Sequence, residues 1–429
     1  MASTGPSVLA GVPRWLRTLV AVLAFAGVAA WLTHSTWENI TPSRQDVGFQ
    51  TDFRDAVYYP VVAFTDGANP YDPVRYYRSY PVGQEFPLYS PVHLVAHLPL
   101  AALSLDDARA VYFGLNLVLV LVLAGVALRL AGYDVGLDGV LALGALLLLS
   151  APGRVDLRNG EPTLLIVLAC YLALASRAAQ SGRAALGVAF ALAKPTFGIP
   201  LALVLVARRR FRAVLVGVGA AVAISLVASF ELASAAGGVG RLVDSLRDDL
   251  DVTSRSVQSR IGSPLRLDAA NVLARATGLR PSESAATALG VVLLAIGVWA
   301  AWLLHTRSPG GDRSELAVTL AALVILVPIF RVGYDLLLLT WPILLLLRRR
   351  SVDAIRPAWL RTALVVLLLI PMIDPTSWSA FDDVVGRGGL ASTVFGPTAL
   401  GLCLLAAFAI SCLLAVRPVR ARAAVASRR

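Results

Sequence analysis

Residues 110–131 read AVYFGLNLVLVLVLAGVALRLA. The stretch carries a single charge, Arg129, near its end. As a helix it is about 33 Å long, enough to cross the hydrocarbon layer of a bilayer. Apolar runs of this kind recur along the whole chain. Of its 429 residues 57% are hydrophobic and 15% charged, with a mean hydropathy of +0.72, whereas soluble domains carry about 25% charged residues. The reading is an all-α polytopic membrane protein, with residues 1–429 as one integral-membrane unit.

The net charge of +11 does not point to nucleic acid. The arginines sit at the ends of apolar runs: Arg14 and Arg17, Arg208–Arg210 with Arg212, Arg348–Arg350, and the tail from 417. Such flanks face the cytoplasm. Residues 15–34 are expected to be a retained anchor rather than a cleaved leader. Alternating the runs then predicts about 12 spans with both termini cytoplasmic. It also predicts extracytoplasmic loops at 35–108 and 231–284, an outer loop at 373–392 with Trp378, and a basic cytoplasmic tail at 417–429. Cys170, Cys403 and Cys412 all lie in apolar runs, as buried thiols do.

The densest polar interval near the N-terminus is residues 51–73, TDFRDAVYYPVVAFTDGANPYDP. Pro60 disfavours a helical Tyr59, so a helix is expected from Pro60 to Asp66, closed by Gly67. Asp52 and Asp55 then precede it, free to point into a site. The bland reading of Asp55 is a salt bridge to its neighbour Arg54. Residues 88–103, broken by Pro91 and Pro99, read as an interfacial or re-entrant segment. Gly153–Pro162 reads as an external turn, and Lys194-Pro195 as a break between two short helices meeting at the outer side. On this topology Asp52, Asp55, Arg154, Asp156, Arg158, Asn159, Glu161, Lys194, Arg331, Tyr334 and Asp335 all reach one face, the extracytoplasmic one. A carboxylate there can act as general base. Lys194, the only lysine in the chain, and Arg331 lie at span boundaries. There a cation can hold a phosphate whose lipid tail is in the bilayer.

Other motifs are weaker. His93 and His97 lack the glutamate of the zinc-protease pattern and read as core or interfacial side chains. Asp249-Leu250-Asp251 has the form of a metal-binding D-x-D, but lies in an outer loop where nucleotides are scarce. Gly217-Val218-Gly219 lies within a span, where helix packing accounts for it. The chain has no P-loop, G-x-S-x-G or CxxC.

Several segments resemble the GT-C superfamily of membrane glycosyltransferases, and among them glycosyltransferase family 87, the polyprenyl-phosphate-mannose-dependent mannosyltransferases. They are Asp52-Phe53, Tyr58-Tyr59, Gly67-Ala68-Asn69-Pro70-Tyr71-Asp72, Tyr89-Ser90-Pro91 through Leu98-Pro99-Leu100, Asn159-Gly160-Glu161-Pro162-Thr163-Leu164-Leu165, and Ala193-Lys194-Pro195 followed by Arg208–Phe211 and Arg212. The chain departs from the pattern where Glu161 replaces Gln, Thr163 replaces Asn, and Arg331–Tyr334 replaces a His-containing turn.

The resemblance implies a prokaryotic plasma-membrane enzyme with a GT-C bundle. It would move mannose or another sugar from a polyprenyl-phosphate donor to a hydroxyl of a glycolipid, polysaccharide or glycan. The transfer inverts the anomeric centre, with Asp52 or Asp55 as base; the Asp-Phe context favours Asp52. Lys194 and Arg331 would hold the donor phosphate. Tyr58, Tyr59, Asn69, Tyr71, Arg158, Asn159, Glu161 and Tyr334 would line the substrate site. No cofactor or metal is called for, since the lipid-linked sugar is the co-substrate. The competing class is a transporter or flippase of lipid-linked sugars, which needs a polar path through the spans. Here the mid-span positions are almost uniformly apolar. A purely structural envelope subunit is the third class.

Overall fold

The computed structural model describes residues 12–40, 50–87, 89–256, 258–307, 314–348, 355, 358–374 and 396–417. The expected outer loop with Trp378 and almost all of the basic tail lie outside these residues. The described chain is helical throughout, and its only bridge-type pairing joins Arg266 to Val332.

Five helices are long and apolar enough to cross a membrane: α1 (Arg14–Trp37), α5 (Leu105–Ala131), α11 (Phe211–Ala236), α14 (Glu283–Arg307) and the helix Gly396–Val416. They expose large apolar side chains, among them Leu23, Leu215, Val227 and Phe230. A contiguous apolar exterior of this extent requires an apolar solvent. A sixth span results if α6 (Leu137–Leu149) and α7 (Ala151–Asn159), bent by 78° at Ser150, count as one. The expected figure of about 12 spans treats every apolar run as a crossing. Several runs are shorter: α8 (Thr163–Ala175) and α10 (Pro195–Ala207) have 13 residues each, about 20 Å against a layer of about 30 Å. In α15 (Glu315–Leu326) every residue is buried, so it is a core helix packed by its neighbours.

The bend between α6 and α7 has local causes. Ser150 accepts a hydrogen bond from the Gly153 amide at 3.2 Å, and Pro152 starts the new helix. A Cβ on Gly153 would lie 1.9 Å from the Leu147 carbonyl oxygen, so only glycine lets the chain turn so tightly. The expected external turn at 153–162 is therefore mostly helix, ending at Gly160 with φ +74°. The expected break at Lys194 is present: α9 (Ser181–Ala191) stops and α10 begins at Pro195.

The long first loop also differs from expectation. Asp52 and Asp55 do not precede a helix. The chain is already helical at Thr51, runs through π-type turns from Phe53 to Tyr58, and continues into α2 (Tyr59–Thr65). Pro60 explains the wide turns. It has no N–H, so it cannot donate a helical hydrogen bond to the carbonyl four residues earlier, Ala56, or five residues earlier, Asp55. Side chains replace it: His93 Nε2 lies 2.9 Å from the Ala56 oxygen, and the Tyr76 hydroxyl donates to the Asp55 oxygen at 2.9 Å. Buried carbonyls are almost always satisfied, and π-type turns concentrate at functional sites. α3 (Pro73–Ser79) and α4 (Pro91–His97) complete the loop. An aromatic cluster of Tyr71, Tyr76, Phe86 and Tyr89 packs it onto the C-terminal end of α11 and onto α12 (Val239–Arg255) through Leu232 and Leu242.

Candidate active site

The segment bearing Asp52 is pinned to the end of α7. The Gln50 amide donates to the Arg158 carbonyl at 2.6 Å, and its side chain donates to the Leu157 carbonyl at 2.8 Å. This sets the Asp52 carboxylate between two amides. Gln84 Nε2 donates to Oδ1 at 2.9 Å, and Asn159 Nδ2 donates to Oδ2 at 3.0 Å. Asp52 is surrounded by protein yet keeps accessible surface. Burial, and then the charge of Glu161, push its carboxyl well above the usual carboxylate range; the bonds from Gln84 and Asn159 pull the other way.

Asp55 is closed off. It has no accessible surface. Arg54 Nε reaches its Oδ1 at 2.5 Å, and the amides of Gly83 and Gln84 reach Oδ2 at 3.0 and 3.1 Å. Burial pushes its carboxyl up and Arg54 pulls it part of the way back.

Glu161 follows the positive-φ Gly160. The Tyr334 hydroxyl donates to its Oε1 at 2.7 Å and the Tyr89 hydroxyl to its Oε2 at 2.9 Å. Replacing Gly160 by alanine is expected to lower stability by about 1–3 kcal/mol, read as a drop in Tm in detergent. The new Cβ would sit 2.5 Å from Phe53 Cβ and 2.8 Å from Gln50 Oε1 at a backbone angle alanine avoids.

Lys194 stands in the break before α10. Its Nζ donates to Asp335 Oδ1 at 2.9 Å and lies 4.9 Å from the centre of the Tyr334 ring. Asp335 Oδ2 accepts the Val332 amide at 3.2 Å. The start of α4 is stitched to the same break: the Ser90 amide donates to the Ala193 carbonyl and its hydroxyl to the Leu192 carbonyl. Asp52, Asn159, Glu161, Lys194 and Tyr334 thus come together from four distant parts of the chain.

The remaining expected residues are arranged around this cluster rather than in it. Arg331 has no exposed surface. Its guanidinium donates to the carbonyls of Phe330 (2.7 Å), Ile325 (2.6 Å) and Thr196, and lies over the Phe197 ring. That is the geometry of a clamp on the end of α15. Arg158 stacks on Trp31 of α1. The Tyr58 hydroxyl donates to the Leu103 carbonyl, and the Tyr59 ring packs against Tyr58. Asn69 accepts the Tyr71 amide, and Tyr71 donates to the Tyr89 carbonyl at 2.6 Å, which steadies the residue that bonds Glu161. Among the residues that hold the cluster, Tyr89 and Gln84 carry no signal of their role in the sequence. Tyr89 lies within a segment that resembles the family, Asp335 belongs to the expected outer polar set, and nothing local marks Gln84.

His97 Nδ1 lies 2.8 Å from the His93 carbonyl. Both histidines face carbonyl oxygens, so each uses one ring nitrogen as a donor. Among the described residues, no group of three or more His, Cys, Asp and Glu side chains could hold a metal ion. Beside the cluster, a cavity of about 1030 Å³ opens between α5, α8 and α9. It begins at His93, His97 and Ala193, is largely apolar along its length, and includes Arg129, Arg177 and Arg183 in its lining.

The family model for glycosyltransferase family 87 matches residues 88–330, more than half of the chain. The chain belongs to glycosyltransferase family 87. Membership carries glycosyltransferase activity and places a sugar donor and a glycan acceptor among its substrates. No curated protein and no solved structure matches the chain. The family match covers Glu161 and Lys194 and stops one residue before Arg331; Asp52 lies ahead of it.

Proposed function

We propose that this family 87 protein is an inverting glycosyltransferase acting at the extracytoplasmic face of a prokaryotic plasma membrane. The donor is a polyprenyl-phosphate sugar, with mannose as the first to test, and the acceptor is a hydroxyl of a glycolipid or glycan. One observation carries the reading. Asp52 has both oxygens oriented by neutral amide donors and still keeps accessible surface, whereas Asp55 spends its carboxylate on Arg54 and two backbone amides. Asp52 removes the acceptor's O–H proton. The freed oxygen bonds the anomeric carbon from the face opposite the leaving group, and the bond from that carbon to the phosphate oxygen breaks. The electron pair leaves with the lipid phosphate, whose charge Lys194 stabilises. Arg331 is spent on backbone carbonyls, so in this reading it supports the Lys194 break rather than touching phosphate.

The cavity fits the donor lipid. It starts at Ala193, next to Lys194, and is mostly apolar along its length, as a prenyl chain requires. Purified protein incubated with polyprenyl-phosphate-linked radiolabelled mannose and membrane glycolipid is expected to transfer label. Omitting the lipid carrier, by supplying free mannose or a nucleotide sugar, is expected to give none. Transfer from the nucleotide sugar alone, or no transfer from any polyprenyl donor, counts against the proposal.

A further inference from the structure

The cavity beside the active site has a second end, whose chemistry differs from the first. α8 leads away from Glu161 and α9 leads back to Lys194, so both helices run between the site and that far end. The 13 residues of α8 make this wall about 20 Å long. At the far end three guanidinium groups line the cavity: Arg129 in the last turn of α5, Arg177 just after α8, and Arg183 in the first turn of α9. All three are exposed. The turn between α8 and α9 is fixed by its own bonds, the Arg177 amide donating to Gln180 Oε1 at 3.1 Å and the Gln180 amide to the Arg177 carbonyl at 2.9 Å. No described residue forms an ion pair with any of the three arginines, and no described Asp or Glu lines the cavity. Between the two ends the walls are apolar. Val122, Leu165, Leu186 and Phe190 line the cavity and are themselves exposed, so it is a groove open along its side rather than a sealed chamber.

We infer that the arginine end is a second lipid site, which binds the phosphate headgroup of an anionic phospholipid while an acyl chain of that lipid lies in the groove. A guanidinium matches phosphate oxygens in shape as well as charge, and basic pockets between spans take anionic headgroups in this way. The donor's prenyl chain, entering beside Lys194, accounts for the apolar walls but brings no anion to this end. The positive flanks of membrane spans account for an arginine at each helix end. They do not account for three that converge on one groove from α5, α9 and the turn after α8 with no acid among them. The assignment stands apart from the transferase reading. On the proposed topology the arginine end opens at the cytoplasmic leaflet, so donor and phospholipid approach one groove from opposite sides of the membrane.

The test needs no sugar transfer. Delipidated protein is incubated with equal amounts of phosphatidylglycerol and phosphatidylcholine, and the retained lipid is counted by native mass spectrometry. The parent is expected to retain phosphatidylglycerol with a preference of about tenfold or more. The triple variant Arg129→Gln/Arg177→Gln/Arg183→Gln, whose sites are exposed and unpaired with described residues, is expected to keep the parent Tm and lose that preference, and each single variant to lose part of it. The control Arg14→Gln/Arg209→Gln/Arg212→Gln removes the same charge from exposed positions outside the groove and is expected to keep the preference. Equal retention of the two lipids by the parent overturns the proposal, as does an undiminished preference in the triple variant. An equal loss in the control also overturns it, since the attraction would then belong to the basic surface as a whole. A large excess of inorganic phosphate is expected to leave the lipid in place, because it brings no chain to the groove; displacement by phosphate alone overturns the lipid assignment.

Discussion

Asp52→Asn is expected to lower the turnover of sugar transfer by about 10²–10⁴-fold, the usual worth of a general base, with Tm unchanged. The asparagine keeps the shape of the side chain. Gln84 and Asn159, which bond Asp52, are themselves amides and can turn over to meet the new donor. The parallel change at the other carboxylate behaves differently. Asp55→Asn leaves Arg54, 5% exposed, with no counter-charge, which costs about 3–5 kcal/mol for a broken buried pair. Thermal unfolding and turnover together separate the two aspartates. A fully active Asp52→Asn beside an inactive Asp55→Asn of unchanged Tm would move the base to Asp55.

Lys194→Met is the second large effect, and it has two parts. Asp335 has no exposed surface, so removing its partner strands a buried charge and costs about 3–5 kcal/mol of stability. Adding Asp335→Asn removes that charge and is expected to restore most of the lost Tm. Transfer does not return in the double variant, because the leaving phosphate has lost its cation. Groups that stabilise developing negative charge are worth about 10²–10³ in kcat. Recovery of both stability and turnover in the double variant would make Lys194 a structural residue only.

Much of this site is legible in the sequence, and the part that is not has a common cause. Glu161 and Lys194 stand beside a Gly and a Pro that mark helix breaks, and Asp52 stands in the Asp-Phe context of the family resemblance. The Arg54–Asp55 pair is adjacent in sequence, so the bland reading of Asp55 could be written down at once. Gln84 has no such marker. Its role exists only because the loop carrying it folds over the π-type turns, and no local periodicity encodes that closure. The helix through Asp52 was hidden for a related reason: Pro60 argues against it locally, and His93 and Tyr76 rescue it from a distance. The expected count of about 12 spans is not confirmed, for a different reason. Hydropathy registers α8, α10 and α15 as membrane-like, but what surrounds a 12- or 13-residue apolar helix is decided by packing, and in α15 the neighbours are protein on every side.

The order in which the site is made follows from its long reach. Asn159 lies 107 residues beyond the carboxylate it holds, Tyr334 lies 173 beyond Glu161, and Asp335 lies 141 beyond Lys194. During synthesis the N-terminal half must enter the membrane with Lys194 lacking its carboxylate and Glu161 lacking one of its two phenols. On the proposed reading, a ribosome-bound chain ending before residue 334 is expected to transfer no sugar. A buried ammonium without a partner is costly in an apolar setting, so a stalled or truncated copy carries a built-in instability that a finished one has discharged. Emergence of two consecutive residues, Tyr334 and Asp335, supplies the missing partners of Glu161 and Lys194 at once.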